Sequence, residues 1–203
     1  AGTAGDVIEL NLTVGDASYE LIIIGDTGIT INGGSAATEW SRLFITGEYI
    51  KLIATSATNW QVVVDKRIPC KCRIKNSQAQ SIGTASATSV TLDEEVFDVG
   101  DISNEGSNKI VVRRTGYYSL SAAAQFATIT ANRVFLSIFV AGATVARAEQ
   151  SANTNGYPSM NPTTVYQLAT DNSVYLQIYQ DSGGSKDISV SVFPPFLVVT
   201  EIL

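Results

Sequence analysis

Apolar residues at every second position, interrupted at short intervals by turn-forming residues, constrain the fold of this chain more than any other feature. In the stretch 109–126, a break at Thr115-Gly116 is followed by apolar residues at each even position from 120 to 126. Side chains alternate between the two faces of a strand, so this pattern predicts a strand with one buried face. The opposite face begins with Tyr117 and is otherwise mostly polar. We expect two strands around a tight turn, with Gly116 at positive φ.

The first third of the chain has the same kind of pattern. Short apolar runs are separated by turn formers such as Gly25-Asp26-Thr27-Gly28 and Asn32-Gly33-Gly34. Residues 36–42 are the one segment with a weak helical tendency. Strands at about ten-residue spacing predict a small β sandwich or barrel. The predicted strands are 7–14, 19–24, 29–31, 43–45, 49–54 and 60–64.

The C-terminal half continues with longer strands. Residues 134–140 are apolar on both faces, which predicts a central strand, and Ala141-Gly142 predicts a hairpin turn after it. A polar loop is expected at 153–162, and a second hairpin is expected around Thr170-Asp171-Asn172. Further strands are predicted at 143–148, 165–169, 174–179, 188–192 and 196–202.

A change of composition separates the two parts. A basic cluster at 66–75 is followed by a stretch rich in Gln, Ser, Ala and Thr. This change predicts an N-terminal β domain at 1–68, a connection at 69–80 and a C-terminal domain at 81–203. The basic cluster lacks interleaved aromatic residues, so a solvated or salt-bridged face is favoured over a nucleic-acid patch. Its expected counterpart is the acidic segment 93–105.

Composition excludes several classes of function. With 45% hydrophobic and 16% charged residues, the 203-residue chain can form a core, and no apolar stretch is long enough for a membrane helix. The net charge of −6 disfavours nucleic acid as a partner. There is no histidine, which removes the usual general base and the commonest transition-metal ligand, so we expect no enzyme activity. Because the chain begins at Ala1 without Met, we interpret it as a processed or trimmed C-terminal part of something longer.

The two cysteines, Cys70 and Cys72, flank a single lysine. Alternation within a strand would point them to the same face roughly 7 Å apart, which is too far for an unstrained disulfide. We interpret them as free or buried thiols, with interchain cross-linking near a symmetry axis as the alternative.

Carboxylates offer two further chemical interpretations. Asp26-Thr27-Gly28 after an apolar strand matches the aspartic-protease pattern, but the chain has no second copy to supply the paired Asp, so a turn is favoured. The acidic segment 93–105 offers the oxygen ligands that calcium prefers, yet it lacks EF-hand spacing, and exposed loop charge is the favoured interpretation. We predict no metal and no cofactor.

Motifs in the C-terminal part resemble a known family. Residues 81–203 resemble the ten-stranded jelly roll of the complement globular head and tumour necrosis factor superfamily, in the form found at the tips of phage and bacterial fibres. The motifs that carry this resemblance are Ile110-Val111-Val112, Thr115-Gly116-Tyr117-Tyr118, the segment 168–178 and Phe193-Pro194-Pro195-Phe196-Leu197. The segment 169–172 lacks the family's Gly before Asp, and Pro195 replaces the Gly of the last motif.

The N-terminal part resembles a module of phage tail and fibre proteins. The matching residues are Gly28-Ile29-Thr30-Ile31-Asn32-Gly33, Leu52-Ile53 and Thr58-Asn59-Trp60-Gln61-Val62. Trp60 follows a turn, and we interpret it as a core aromatic residue that closes the sheet rather than an exposed recognition residue.

Together the two resemblances imply an all-β homotrimer that binds ligands and does no chemistry. The implied function is a viral (phage) fibre or spike module on the virion exterior that attaches to a host-surface glycan or protein. It would contact other virion proteins through its N-terminal side, and it would neither bind nucleic acid nor insert into a membrane. The alternative is a structural capsid- or tail-decorating protein without its own receptor.

Ligand contacts in a jelly roll fall on loops, because packing holds the strands. The loop at 153–161 offers amides, hydroxyls and one aromatic ring, which suit hydrogen bonding to and stacking on a sugar. An equally open interpretation is a solvated connection with Tyr157 folded back on the sheet. The candidate receptor-binding residues are Asn153, Thr154, Asn155, Tyr157 and Asn161.

Overall fold

The computed structural model describes residues 2–13, 20–191 and 193–203, with the side chains of 132 and 152–155 outside the described part. The chain forms two compact units, Ala1–Pro69 and Cys70–Leu203. Within the described residues the structure is β throughout, apart from one turn of 3₁₀ helix at Glu105–Ser107. The all-β class predicted from the alternation is therefore confirmed.

The first unit contains two sheets. An antiparallel run β1-β5-β6 is extended by β3, which pairs with β6 in parallel, and β2 pairs with β4 in a separate two-stranded sheet. The strands are β1 Val7–Asn11, β2 Leu21–Ile24, β3 Thr30–Ile31, β4 Glu39–Leu43, β5 Tyr49–Ser56 and β6 Asn59–Lys66.

Apolar side chains from both sheets form the core of the first unit. Ile23, Leu43 and Ile50 are buried there, and Trp60 packs against them, which confirms its interpretation as a core aromatic residue. The buried Glu48 joins the turn at 44–48 to residue 68, because its carboxylate accepts hydrogen bonds from the N–H groups of Phe44 (2.7 Å), Ile45 (3.0 Å) and Ile68 (3.0 Å).

Three predictions for the first unit are wrong in detail. The strand predicted at 43–45 is instead β4, which ends at Leu43. The helical turn predicted at 36–42 is instead a turn followed by β4, because Ser41, Arg42 and Leu43 pair with β2. The first strand ends at Asn11 rather than at 14, and residues 14–19 lie outside the described part.

The second unit begins earlier than predicted. Lys71–Lys75, inside the segment predicted as a connection, is the strand β7, and it lies in the middle of a sheet. The other strands are β8 Gln80–Ile82, β9 Thr88–Ser89, β10 Glu94–Val99, β11 Ser103–Asn104, β12 Lys109–Val111, β13 Gly116–Gln125, β14 Ile129–Val140, β15 Ala143–Gly156, β16 Ser159–Met160, β17 Thr163–Leu168, β18 Ser173–Gln180, β19 Lys186–Ile188 and β20 Phe196–Ile202.

These strands form two six-stranded sheets, which we call sheet A and sheet B. In sheet A the order is β10-β7-β20-β13, with β16 and β17 both pairing with β13. In sheet B the order is β11-β12-β18-β14-β15, with β9 pairing with β18. The strands β8 and β19 form a separate pair. This is the jelly-roll sandwich predicted for this part of the chain.

The core lies between the inward faces of sheets A and B. Leu120, Ala122, Ala124 and Phe126 are buried, which confirms the face predicted from the alternation. On β18 the buried residues are Val174, Leu176 and Ile178, and on β14 they are Val134, Leu136, Ile138 and Val140.

Two predicted hairpins are wrong, and the reason is the same for both. β12 lies in sheet B and β13 lies in sheet A, so the turn at Thr115 crosses between sheets instead of joining neighbours. The connection from β17 to β18 also crosses between the sheets. Gly116 is consequently not at positive φ; it begins β13 in extended backbone, and a Cβ built on it would have no neighbour closer than 3.7 Å.

The hairpin predicted at Ala141-Gly142 is confirmed. It joins β14 to β15, and both turn residues have positive φ, 47° for Ala141 and 91° for Gly142. This is the arrangement of a type I′ turn, whose twist matches that of the strands it joins.

Candidate binding surfaces

The predicted receptor-binding residues do not lie in one long loop. Strand β15 continues to Gly156, because Ile129 and Ala131 of β14 still pair with it, so the loop predicted at 153–162 is wrong as a secondary-structure assignment. Asn153, Thr154 and Asn155 belong to this strand, and their side chains lie outside the described part.

Tyr157 and Asn161 are the members of the predicted set whose side chains are described. Tyr157 is 67% exposed, so the interpretation in which it folds back on the sheet is wrong. Its carbonyl oxygen accepts a hydrogen bond from Gln125 Nε2 at 3.3 Å. Asn161 is also exposed, but the buried Met160 separates it from Tyr157. The structure therefore offers an exposed tyrosine next to a strand end instead of a sugar-binding loop.

The outward face of sheet A carries several exposed apolar side chains among hydroxyl-bearing and charged ones. Directly opposed residues on antiparallel strands share a face, and Tyr117 opposes Ile202 while Ser119 opposes both Thr200 and Val165. We call this surface the apolar face. Its apolar residues are Phe97, Tyr117, Ala123, Val165, Phe196, Val198 and Ile202, with Val165 59% and Tyr117 56% exposed.

Charged residues border the apolar face at its β7 side. Lys75 Nζ lies 2.9 Å from Glu94 Oε1 on the neighbouring strand β10, and the Arg73 guanidinium lies 4.4 Å from the centroid of the Phe196 ring. The basic cluster predicted at 66–75 thus meets part of its predicted acidic counterpart within one chain. Arg67 pairs with Asp65 in the first unit instead.

The outward face of sheet B carries two stacked aromatic pairs. Phe135 on β14 stacks on Tyr179 of β18 with ring centroids 4.7 Å apart and planes 4° apart. Four residues further along β14, Phe139 stacks on Tyr175 at 5.3 Å. Because each pair joins neighbouring strands face to face, the ring edges point along the strands toward the space between the pairs.

A polar row crosses sheet B between the two aromatic pairs. Gln177 opposes Ser137 on one side and Ser89 on the other, and Ser137 opposes Arg147 of β15. Arg147 covers the buried Ser137, since its Nε donates to Ser137 Oγ at 3.0 Å. We call the row and its two aromatic borders the trough, which consists of Phe135, Ser137, Phe139, Arg147, Tyr175, Gln177, Tyr179 and Ser89.

A recess of about 360 Å³ adjoins one end of the trough. Polar groups line it, because it is bounded by two hydroxyls, two amides and one ammonium group as well as by an aromatic ring. The recess shares Ser89, Tyr175 and Gln177 with the trough, and its remaining lining residues are Val90, Ser107, Asn108, Lys109 and Leu176. Lys109 Nζ lies 5.4 Å from the centroid of the Tyr175 ring.

One buried ion pair lies inside sheet A. Arg114 Nη1 is 3.0 Å from Glu201 Oε2, and both side chains are almost completely buried. The same Glu201 oxygen accepts the Cys70 N–H at 3.0 Å, and the Tyr118 hydroxyl donates to the Arg114 carbonyl oxygen at 2.7 Å. The pair therefore ties the first residue of the second unit to the last strand.

The cysteines are buried free thiols. Both side chains are fully buried within a single chain, so the alternative of interchain cross-links is wrong. Burial raises the pKa of the Cys72 thiol, and the nearby carboxylates of Asp98, Glu95 and Glu105 add to this effect. A thiol that stays protonated is a poor nucleophile.

The acidic segment 93–105 is organised by hydrogen bonds to the backbone. Asp98 Oδ2 accepts the N–H groups of Ile102 (2.8 Å) and Ser103 (2.6 Å), and partial burial raises the pKa of this carboxyl. Asp93 accepts the N–H of Ser77 at 2.7 Å. Among the described side chains no group of three or more His, Cys, Asp or Glu is arranged to hold a metal ion, so the calcium alternative gains no support.

The Asp-Thr-Gly sequence forms a turn. Asp26 Oδ1 accepts the Thr27 N–H at 2.7 Å, and Gly28 has a φ of 78°. In the same unit a groove of about 390 Å³ opens between β1 and β2 and is lined mainly by apolar side chains, among them Ile8, Leu21 and Ile22. The described residues include no helix long and apolar enough to cross a membrane.

The two facing sheets define the second unit as a jelly-roll sandwich. No family model and no curated protein matches the chain in sequence. Among solved structures, murine APRIL at pH 5.0 matches with a TM-score of 0.54 and 17% identity, covering 66% of this chain and 100% of that chain. Murine APRIL at pH 8.0 matches with a TM-score of 0.54, 19% identity and the same coverage. The globular domain of zebrafish complement 1qA protein matches with a TM-score of 0.48 and 12% identity, covering 66% and 96%. At these identities the similarity to APRIL shows the fold alone.

The trough is the feature that sequence reasoning missed. A signal was present, because Phe135 and Phe139 have the same spacing as Tyr175 and Tyr179. Local alternation cannot show that these two strands are neighbours in register or that Arg147 lies on the next strand, because strand pairing is a long-range property of the fold.

Proposed function

We propose that the second unit is a non-catalytic binding head that assembles as a homotrimer through the apolar face. The observation that carries this proposal is the exposure of Tyr117, Val165 and Ile202 together on one sheet. Contiguous exposed apolar surface of this kind marks an interaction site. The small side chain of Ser119, which lies next to Tyr117 on this face and opposite Val165, would let another copy approach the backbone closely.

We further propose that the chain is a viral (phage) fibre or spike module on the exterior of the virion. This rests on the resemblance of the N-terminal motifs to phage tail and fibre modules, combined with the jelly-roll head. The head would attach to a host-surface glycan or protein, and the first unit would contact other virion proteins, for which its apolar groove is available. The alternative remains a capsid- or tail-decorating protein without its own receptor.

Mass in solution tests the trimer. We expect light scattering to give three times the chain mass of 21.6 kDa. Val165→Asp should shift the protein to monomer without unfolding it, because the new carboxylate would be buried unpaired at the interface. Val63→Asp, at an exposed valine of the first unit, is the matched control and should leave the mass unchanged. A wild-type monomer at micromolar concentration would refute the trimer.

Adsorption to host cells separates attachment from decoration. We expect the labelled trimer to bind cells, and we expect the quadruple variant Asn153→Ala, Asn155→Ala, Tyr157→Ala and Asn161→Ala to bind less while keeping its mass and melting temperature. A folded trimer that adsorbs to no candidate host would favour the decorating role. Full adsorption by the variant would show that the receptor-binding site does not include these four residues.

A further inference from the structure

The geometry of the trough points to a second binding site, and we propose that it binds an acidic saccharide with Arg147 as the anion-binding residue. The site lies on the outward face of sheet B around residues 137, 147 and 177, whereas the predicted receptor-binding residues lie at the C-terminal end of β15 and in the segment 157–161 that follows it. The proposal deepens the attachment function proposed above by naming a ligand class, and it rests on that function for the biological source of the ligand.

Arg147 is held in place before any ligand arrives. Its Nε donates to Ser137 Oγ at 3.0 Å, and its guanidinium carbon lies 4.1 Å from the centroid of the Phe135 ring. Among the described residues, its two terminal nitrogens, Nη1 and Nη2, have no hydrogen-bond partner. A planar guanidinium that is fixed by stacking and keeps its outer edge free is suited to bidentate binding of a carboxylate or sulfate.

The charges around Arg147 leave it available for an outside anion. A second guanidinium near the Phe135 ring, Arg133, pairs with Glu149, because its Nε and Nη2 lie 2.8 and 3.0 Å from the two carboxylate oxygens. The Glu149 carboxylate also attracts Arg147, but no hydrogen bond joins these two described side chains. At the far end of the trough Lys109 adds a second positive charge, and no ion pair joins it to a carboxylate among the described residues. The trough is therefore locally positive on a chain whose net charge is −6.

The edges of the aromatic rings strengthen the preference of the trough for an anion. The edge of an aromatic ring carries partial positive charge, whereas its face carries negative charge. Tyr179 covers one face of Phe135, Tyr175 covers one face of Phe139, and the Arg147 guanidinium lies over the Phe135 ring, so ring edges border the polar row. An anion in the row would thus meet favourable electrostatics from both sides.

The recess beside Tyr175 indicates that the anion belongs to a saccharide. Its volume of about 360 Å³ suits a small ligand, and its hydroxyl, amide and ammonium groups can donate to and accept from sugar hydroxyls. A nucleic acid is disfavoured, because only two unpaired cations face the site and the acidic chain would repel a polyanion. A neutral sugar would leave the fixed Arg147 without a partner.

Calorimetry with a panel of uronate- and sialate-containing oligosaccharides and their neutral counterparts tests the proposal on the intact chain. We expect at least one acidic member to bind, its neutral counterpart to bind about tenfold more weakly or not at all, and affinity to fall as salt rises. Arg147→Met keeps the stacking stem but removes the charge, and it should reduce affinity by about tenfold or more. Arg147→Lys should recover only part of it, because lysine lacks the planar fork.

Lys51→Met is the matched control, since it removes one positive charge from the first unit. It should leave saccharide affinity unchanged. Binding of the acidic and neutral members with equal affinity, binding of inorganic sulfate alone, or unchanged affinity in a folded Arg147→Met variant would overturn the proposal. Gln177→Ala provides a second variant if Arg147→Met fails to fold, and unchanged affinity there would also count against the site.

The saccharide-binding proposal and the attachment proposal can fail independently of each other. If the trimer adsorbs to host cells and Arg147→Met adsorbs equally well, attachment stands and the trough is not its site. If the purified chain binds an acidic saccharide through Arg147 but adsorbs to no host, the proposed saccharide site is supported and the proposed attachment function is refuted.

Discussion

At the scale of single residues, the buried ion pair of Arg114 and Glu201 is where a single substitution is expected to have the largest electrostatic effect on stability. Taking two charges out of water is costly, and their attraction offsets that cost only while both partners and their hydrogen bonds are present. The intact pair therefore stabilises the folded state only modestly, whereas removing one of its two partners is expected to destabilise it strongly. Its more evident role is to specify where the chain enters and leaves sheet A.

We expect Glu201→Gln to lower the free energy of unfolding by about 3–5 kcal/mol, because it removes the carboxylate charge that lies 3.0 Å from the buried Arg114 guanidinium. Chemical denaturation of the purified protein measures this. The matched control is Glu94→Gln, which breaks the exposed pair with Lys75 and should cost about 1 kcal/mol or less. Equal losses in the two variants would contradict the assignment.

Asp98 gives a pH-dependent prediction. Burial raises its folded pKa above the ordinary value of 3.8, so the folded state holds a proton that the unfolded state has already released. Its contribution to stability is present below pH 3.8 and is lost as the pH rises through the raised folded pKa. We expect the stability of Asp98→Asn relative to wild type to increase as the pH rises above 3.8. Denaturation curves at a series of pH values measure this, and a constant difference would contradict it.

At the scale of secondary-structure elements, the hairpin between β14 and β15 offers a direct test of turn chemistry. Alanine at φ 47° is unfavourable because its Cβ crowds the backbone, whereas asparagine tolerates this conformation. Ala141→Asn would create an Asn-Gly turn at an exposed site and should raise the free energy of unfolding by about 0.5–1 kcal/mol. Thermal melting checks this, and a lower melting temperature would show that Ala141 has another role.

The elements that sequence alone predicted are those with strong local signals. β13, β14 and β18 follow from apolar residues at every second position, and the turn between β14 and β15 follows from Ala141-Gly142. What alternation cannot show is the partner of a strand. A tight turn at Thr115 has the same local pattern whether it joins neighbours in one sheet or crosses between two, and only the long-range pairing of β12 with β18 decides which occurs.

Strand β7 was missed for a related reason. Its sequence, Lys71-Cys72-Arg73-Ile74-Lys75, places charges on every outward position, and charged residues suggested a connection. The outward side chains are tolerated because Lys75 meets Glu94 and Arg73 lies over Phe196. For the candidate binding residues, the exposure of Tyr157 was among the open interpretations. The trough could not be predicted from the sequence, because it depends on the register of four strands.

At the scale of the whole molecule, the boundary between the units is testable with fragments. A fragment 70–203 contains both sheets and should fold alone. A fragment 81–203, which begins at the predicted boundary, lacks β7 and would leave β10 and β20 without their shared neighbour. We expect a cooperative thermal transition for the first fragment and aggregation or no transition for the second. Equal folding of both would show that β7 is dispensable.

The adjacency of β7 and β20 also bears on how the head would respond to pulling. The second unit starts at Cys70 and ends at Leu203, and Lys71 opposes Thr200, so the chain enters and leaves the head at the same end of neighbouring strands. A pulling force applied at Cys70 along the direction of β7 would act on all hydrogen bonds of β7 to β10 and β20 at once, in shear. It would not open these hydrogen bonds one at a time. A head attached in this way would resist detachment under flow without any covalent cross-link.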